Sequence, residues 1–117
     1  MIDFNNFIIH SNLTNWGHVW HIVTNDGKGM ITIEYDNDEP DLMFFYGLSV
    51  CNDVRNQGIG KALLSAAEKL GLENGKHRFK LHIEKPKSWL YDFYIKQGYS
   101  YADEDEDEIF LVKSIIK

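Results

Sequence analysis

The run Arg55-Asn56-Gln57-Gly58-Ile59-Gly60-Lys61 brings two glycines and two cations to the point where a strand-like sequence gives way to a helical one. The first N–H groups of a helix have no partner inside it, and with the helix dipole they form a site for an anion. Gly58 and Gly60 carry no side chain to hold a ligand off the backbone, and Arg55 and Lys61 add positive charge beside it. A diphosphate needs all of these. Two phosphate-binding patterns fail on spacing. A P-loop requires Gly-x-x-x-x-Gly-Lys-Ser/Thr, and the glycines here are too close together. A dinucleotide fingerprint requires Gly-x-Gly-x-x-Gly in the first strand–helix unit, with an acid about 20 residues further on. What remains is Arg/Gln-x-x-Gly-x-Gly/Ala, matched by Arg55, Gly58 and Gly60. By itself that turn is also what a purely structural strand-to-helix connection looks like.

A second pattern lies about 35 residues downstream. Phe93-Tyr94-Ile95-Lys96-Gln97-Gly98-Tyr99 follows the scheme aromatic or Leu, Tyr, three residues, Gly, Phe/Tyr. The two patterns in this order, with a strand between them, resemble the coenzyme A-binding core of the GNAT superfamily of N-acetyltransferases. The longer stretch Leu48 to Leu64 is similar to that family's strand–turn–helix, and the resemblance covers residues from about 29 to 115.

The resemblance implies an acyl-CoA-dependent N-acetyltransferase with acetyl-CoA as cosubstrate and a primary amine as acceptor, attacking the thioester directly in a ternary complex. It implies that two parallel strands, here Leu42–Val50 and Phe79–Ile83, splay apart to admit the pantetheine arm. Backbone groups of Leu48, Ser49 and Val50 would pair with its amides. Arg55, Asn56, Gln57, Gly58, Ile59, Gly60 and Lys61 would hold the pyrophosphate. Tyr94 matches the tyrosine that protonates the leaving thiolate, a role suited to a phenol with a pKa of about 10. The glutamate that serves one branch of the family as base falls on Phe44, so that base is absent. His82, Glu84 and Glu34 are the remaining candidates, and bulk water suffices for an amine of low pKa. The asparagine seven residues before the tyrosine is replaced by Lys87, which with Lys85 either reaches a coenzyme phosphate or stays at the surface.

These residues need a frame. Phe4 to Ile9, His18 to Thr24, Gly29 to Tyr35 and Leu42 to Val50 read as strands, with Asn25-Asp26-Gly27 a hairpin turn between the second and third. Leu42 to Val50 is apolar enough to be a central strand buried on both faces. Ile59, Leu63, Ala66, Ala67 and Leu70 recur at helical spacing, and Asn74-Gly75 is a C-cap. Phe79 to Ile83 alternates as a strand, a helix follows Pro86 and ends at Gly98, and Tyr99–Ala102 and Ile109–Ile115 are strands. The expected fold is mixed α/β (α+β), a mostly antiparallel sheet around one parallel strand–helix–strand crossover. Only about seven residues, Ser11 to Gly17, separate the first two strands. The acceptor-site helices that the family often carries there are therefore missing, and the site is either open or completed by a second chain in a homodimer.

Composition bounds the rest. With 117 residues, one domain spanning 1–117 is expected. A single cysteine, Cys51, excludes an internal disulfide framework and a cysteine-based zinc site, and no metal is expected. There is no bilayer-length apolar run and no basic-then-apolar leader, so a cytoplasmic location is the default. The net charge of −6 resides in Asp103 to Glu108; without those six acids, 12 acidic residues balance 12 basic ones. That argues against nucleic-acid binding, which needs a basic face. The acidic run is either a solvated hairpin loop or a device that steers a cationic amine or basic peptide. Two other functions compete with the enzyme: an acetyl-CoA-binding regulatory module without turnover, and an interaction protein using the acids as bait.

Overall fold

The computed structural model describes residues 7–54, 58–87 and 89–115, apart from the side chains of Val54 and Trp89. The elements are β1 (Phe7–Leu13), β2 (Gly17–Thr24), β3 (Gly29–Asp36), β4 (Leu42–Val50), α1 (Ile59–Glu73), β5 (Arg78–Glu84), α2 (Trp89–Lys96), β6 (Ser100–Glu104) and β7 (Glu108–Ser114). They build one seven-stranded sheet in the order β1-β2-β3-β4-β5-β7-β6. Only β4 and β5 are parallel, joined through α1. The fold is the mixed, mostly antiparallel α+β architecture expected from the sequence.

The β2–β3 hairpin forms where the turn signal lies. Gly27 takes φ +74°, and the Asp26 carboxylate accepts from the Thr24 hydroxyl at 2.7 Å and the Lys28 N–H at 3.0 Å. The Thr24 hydroxyl, foremost, holds the Asp26 carboxyl below its ordinary value. The first strand differs from the expectation. It runs to Leu13 and pairs with β2 from Phe7↔Thr24 to Leu13↔His18; Phe4 to Asn6 lie outside the described residues. Ser11 and Asn12, expected in the connection between the first two strands, are held in the ladder because tertiary pairing outweighs their weak propensities. The turn itself is Thr14–Trp16, closed by the Thr14 hydroxyl, which accepts from the Gly17 N–H at 3.0 Å and donates to its carbonyl at 2.9 Å. No helix fits between β1 and β2.

Register shows which face is covered. Trp20, Ile33, Phe45, Leu81 and Leu111 stand side by side across five strands and are all buried. Leu63, Leu64, Ala66 and Ala67 of α1 join them in one core with Tyr94 of α2 and Tyr99. A partly buried polar group ties this side together: Glu68 of α1 accepts from the Tyr99 hydroxyl at 2.8 Å and from Lys113 Nζ at 3.1 Å, and Lys113 also donates to the Gln97 carbonyl at 2.8 Å. Burial first, then the Glu68 carboxylate, raises the Tyr99 hydroxyl far above its ordinary range. Both helices thus lie on one side. Among the described residues no helix covers the other, where His21, Thr32 and Tyr46 stand in a row. The expectation that β4 is buried on both faces therefore fails. Leu42, Met43 and Phe45 are buried, but Tyr46, Gly47 and Ser49 are exposed.

Helix α1 approaches β5 closely at Gly71, where an added Cβ would lie 2.7 Å from Phe79 Cε1. Phe79 is itself fully buried, so it has no free space to move into. Gly71→Ala is expected to destabilise the fold by about 1–3 kcal/mol despite alanine's better helix propensity, measured by urea denaturation.

Candidate functional site

Strands β4 and β5 pair only from Leu42↔Arg78 to Phe45↔Leu81. Beyond that point β4 bulges. Met30 faces Ser49 and Thr32 faces Tyr46, so Gly47 and Leu48 together stand opposite Ile31. Gly47 sits at φ +69°, a conformation that glycine adopts without strain. The extra residue shifts the alternation: Met43 and Phe45 face the helices before the bulge, Leu48 and Val50 after it. It coincides with the end of the parallel ladder, beyond which a gap opens between β4 and β5.

A cavity of about 150 Å³ occupies this gap, lined by β4 from Phe45 to Leu48, by His82, Ile83 and Glu84 of β5, and by Lys87, Leu90 and Tyr94. Gly58 caps α1 at φ +78°, with no side chain bonded to the cap and no acidic residue in the first turn. The N–H groups of Ile59, Gly60 and Lys61 therefore begin a 15-residue helix whose positive end meets no capping side chain among the described residues. A Cβ at Gly58 would meet nothing within 4 Å, and one at Gly60 would touch only Phe93 and Val50 at ordinary contact distance. Glycine is thus required at 58 by backbone conformation and at 60 by nothing in the chain itself. Cys51 N–H bonds to the Lys28 carbonyl at 2.8 Å and Lys28 pairs with Asp53, anchoring the connection to the β2–β3 hairpin. Arg55, Asn56 and Gln57 lie outside the described residues.

Tyr94 is 5% exposed and packs edge-on against Phe93 and Tyr99. Burial pushes its hydroxyl up to about 12, so the group is protonated throughout the neutral range. No hydrogen bond occupies it among the described residues. A raised phenol pKa means that folding favours the neutral form; the advantage is complete below pH ~10 and is lost as pH rises towards 12. Wild type is accordingly expected to lose on the order of 2 kcal/mol more stability than Tyr94→Phe between pH 9 and 11.5, measured by denaturant titration at both pH values.

The other expected residues separate. Leu48 lines the cavity, whereas Ser49 and Val50 lie past it. His82 and Glu84 line it from β5. Glu84 lies 3.9 Å from Lys87, at the cavity wall, while Lys85 is drawn away to Glu104 at 2.8 Å. Glu34 is not part of the lining; it bonds to the Tyr46 hydroxyl, and desolvation with that carboxylate raises the tyrosine. Phe44, in the place of the family's glutamate, lies between Glu34 and Lys80. Of the tryptophans, Trp20 is core and Trp16 is exposed at the β1–β2 turn.

The acidic run is not one loop, which corrects the reading of it as the connection between the last two strands. Asp103 and Glu104 belong to β6 and Glu108 to β7. Asp105 closes the turn, accepting from the N–H groups of Asp107 at 2.9 Å and Glu108 at 2.8 Å; those bonds hold its carboxyl below the ordinary value. Glu104 pairs with Lys85 and accepts from the Tyr101 hydroxyl, which lowers it likewise. Glu108 reaches His82, with Oε2 2.9 Å from Nε2. Sequence reasoning missed that pair and the bulge; a lone glycine inside an apolar strand was the signal available for the bulge.

The chain thus combines a seven-stranded sheet with one parallel pair, a gap where that pair ends and a helix without a side-chain cap at its N-terminus. The profile of the Acetyltransferase (GNAT) family matches residues 4–99, and the chain belongs to that family. No curated protein sequence matches it. Among solved structures it is similar to nourseothricin acetyltransferase, with a TM-score of 0.74 at 12% identity over 95% of this chain and 85% of that one. A GNAT family acetyltransferase from Elizabethkingia anophelis, with acetyl-CoA bound, superposes with a TM-score of 0.73 at 15% identity over 95% and 99% of the two chains. The PaiA N-acetyltransferase from Thermoplasma acidophilum, in complex with coenzyme A, gives 0.71 at 22% identity over 82% of this chain and 59% of that one. At these identities the likeness is one of fold. No helix among the described residues is long and apolar enough to cross a membrane.

Proposed function

We propose that this chain, as a single domain, transfers the acetyl group of acetyl-CoA to a primary amine by direct attack in a ternary complex. The observation that carries this reading is the gap between β4 and β5, with buried Tyr94 in its wall and its hydroxyl in no hydrogen bond among the described residues. The pyrophosphate is held at the start of α1 by Gly58 to Lys61 together with Arg55, Asn56 and Gln57, and the pantetheine arm runs along Leu48 to Val50. Binding of both substrates in one cleft supplies most of the rate enhancement, through positioning. The amine nitrogen attacks the thioester carbon, the C–S bond breaks, and Tyr94 gives its proton to the sulfur. Two solved structures similar in fold carry coenzyme A or acetyl-CoA, which supports the choice of cosubstrate.

The acceptor enters from the helix-free face. Glu84 and the acidic hairpin stand there, and they favour a cationic acceptor such as a polyamine or a basic peptide. A second copy of the chain would dock along β1, an edge strand without a charged residue from Phe7 to Leu13 and with Ile8, Ile9 and Leu13 exposed.

Calorimetric titration with acetyl-CoA tests the reading. Binding in the micromolar range is expected, followed by thiol release when an amine is added. Absence of any heat of binding would remove the coenzyme site and the function with it.

A further inference from the structure

We propose that His82 is the general base of the transfer and that Glu108 is its positioning residue. This rests on the acetyltransferase reading and assigns within it the group that takes the amine's proton. Among the three candidates the geometry separates them. Glu34 is outside the cavity and engaged with Tyr46, and Glu84 is neighboured by Lys87. His82 lines the cavity, and its Nε2 lies 2.9 Å from Glu108 Oε2. Both residues are on strands, in a ladder unbroken from Arg78↔Ser114 to Glu84↔Glu108, and the ring meets Phe110 edge-on with centroids 6.1 Å apart. The pair is therefore held by the sheet and not by a loop.

The carboxylate selects the tautomer. Glu108 accepts from Nε2–H, which leaves the lone pair on Nδ1 to take a proton, and the imidazolium then formed lies beside a negative charge. The two proton-transferring groups also stand on the correct sides of the sheet. Tyr94 lies on the helix side; His82 faces the open side with Lys80 and Glu84. In the balanced step the N–C bond forms and the C–S bond breaks. The ammonium gives one proton to His82 Nδ1 before the attack; as the C–S bond breaks the Tyr94 proton passes to the thiolate, the second proton shed by the new amide nitrogen restores the Tyr94 hydroxyl, and His82 releases its proton to water, so that one proton is released overall. Besides Glu108, the groups around His82 are Asp105 of the hairpin, Lys80 and Glu84 of β5 and Tyr46 of β4 across the cavity. The acidic run thus contributes one member, Glu108, directly to the site.

Thiol release from acetyl-CoA is measured with two nucleophiles. One is 1,4-diaminobutane, an ammonium ion at neutral pH that must lose a proton; the other is hydroxylamine, already unprotonated. His82→Gln is expected to lower kcat with diaminobutane by about a hundredfold, with an unchanged KM for acetyl-CoA and a loss at least tenfold smaller with hydroxylamine. Glu108→Gln is expected to lower kcat with diaminobutane by about tenfold and to shift the acidic limb of the pH–rate profile. Glu108→Asp should recover part of both. Equal losses with the two nucleophiles would make His82 a structural residue, and a Glu108→Gln enzyme with an unaltered rate and pH profile would remove Glu108; either outcome overturns the proposal. No thiol release from the wild type with either nucleophile overturns the acetyltransferase reading itself, and the His82–Glu108 pair with it.

Discussion

Tyr94→Phe is expected to lower kcat by about a hundredfold or more while leaving the dissociation constant for acetyl-CoA unchanged. The substitution removes only the hydroxyl oxygen. That oxygen makes no hydrogen bond among the described residues, so its loss leaves no buried partner unsatisfied, and the ring contacts with Phe93 and Tyr99 remain. Fold stability at neutral pH should therefore change little, and a fall in turnover would report the chemistry. In the proposed reaction the hydroxyl acts on the leaving sulfur, which becomes basic only as the C–S bond breaks; a ground-state complex does not need it. Hence kcat falls and binding does not. Turnover unchanged in the variant would return the proton donation to water and make Tyr94 a packing residue. A wild type that binds acetyl-CoA yet acetylates none of a panel of amines would favour the regulatory module instead.

Gly58→Glu is expected to weaken acetyl-CoA binding by about a hundredfold, or about 3 kcal/mol, against a few-fold for Gly58→Ala. The pair of variants is chosen because Gly58 sits at φ +78°. Any side chain there carries the same left-handed strain of roughly 1–2 kcal/mol, and a Cβ has open space around it. Alanine therefore measures the backbone cost alone. Glutamate adds a carboxylate at the positive end of α1, where it caps the helix favourably and competes with the diphosphate for the same N–H groups. Calorimetry on both, with thermal melts to confirm folding, separates the two effects. Equal weakening by alanine and glutamate would mean that the turn matters through its shape and not as an anion site.

Much of the frame was legible because it depends on local pattern. The 3.6-residue period from Ile59 to Leu70, the glycines that bracket it and the hairpin turn at Asn25-Asp26-Gly27 all act over a few residues, and α1 and the β2–β3 hairpin lie where that pattern puts them. The order of strands and helices followed from the same signals, and the absence of helices between β1 and β2 from chain length alone. Errors came where a long-range ladder decided. Ser11 and Asn12 fall in the expected connection between the first two strands, and only their pairing with Trp20 and Val19 makes them strand. The apolar run Leu42 to Val50 suggested cover on both faces, yet whether β4 is covered depends on which elements lie above and below it, and the single parallel partner leaves it at Phe45.

The sequence alone determined the chemistry that is continuous along the chain: a glycine turn at the start of a helix, a tyrosine at a fixed distance beyond it and a phenylalanine in place of the family's glutamate. Tertiary structure decided everything that depends on register between strands distant in sequence. The bulge at Gly47 forms because β3 and β4 differ by one residue opposite Ile31. Glu108 meets His82 because β7 lies antiparallel against β5 in one register and not its neighbour. A slip of β7 by one residue would turn Glu108 to the face opposite His82, and no local pattern in either segment encodes that choice; the burial of Leu81, Ile83 and Leu111 on the helix side does.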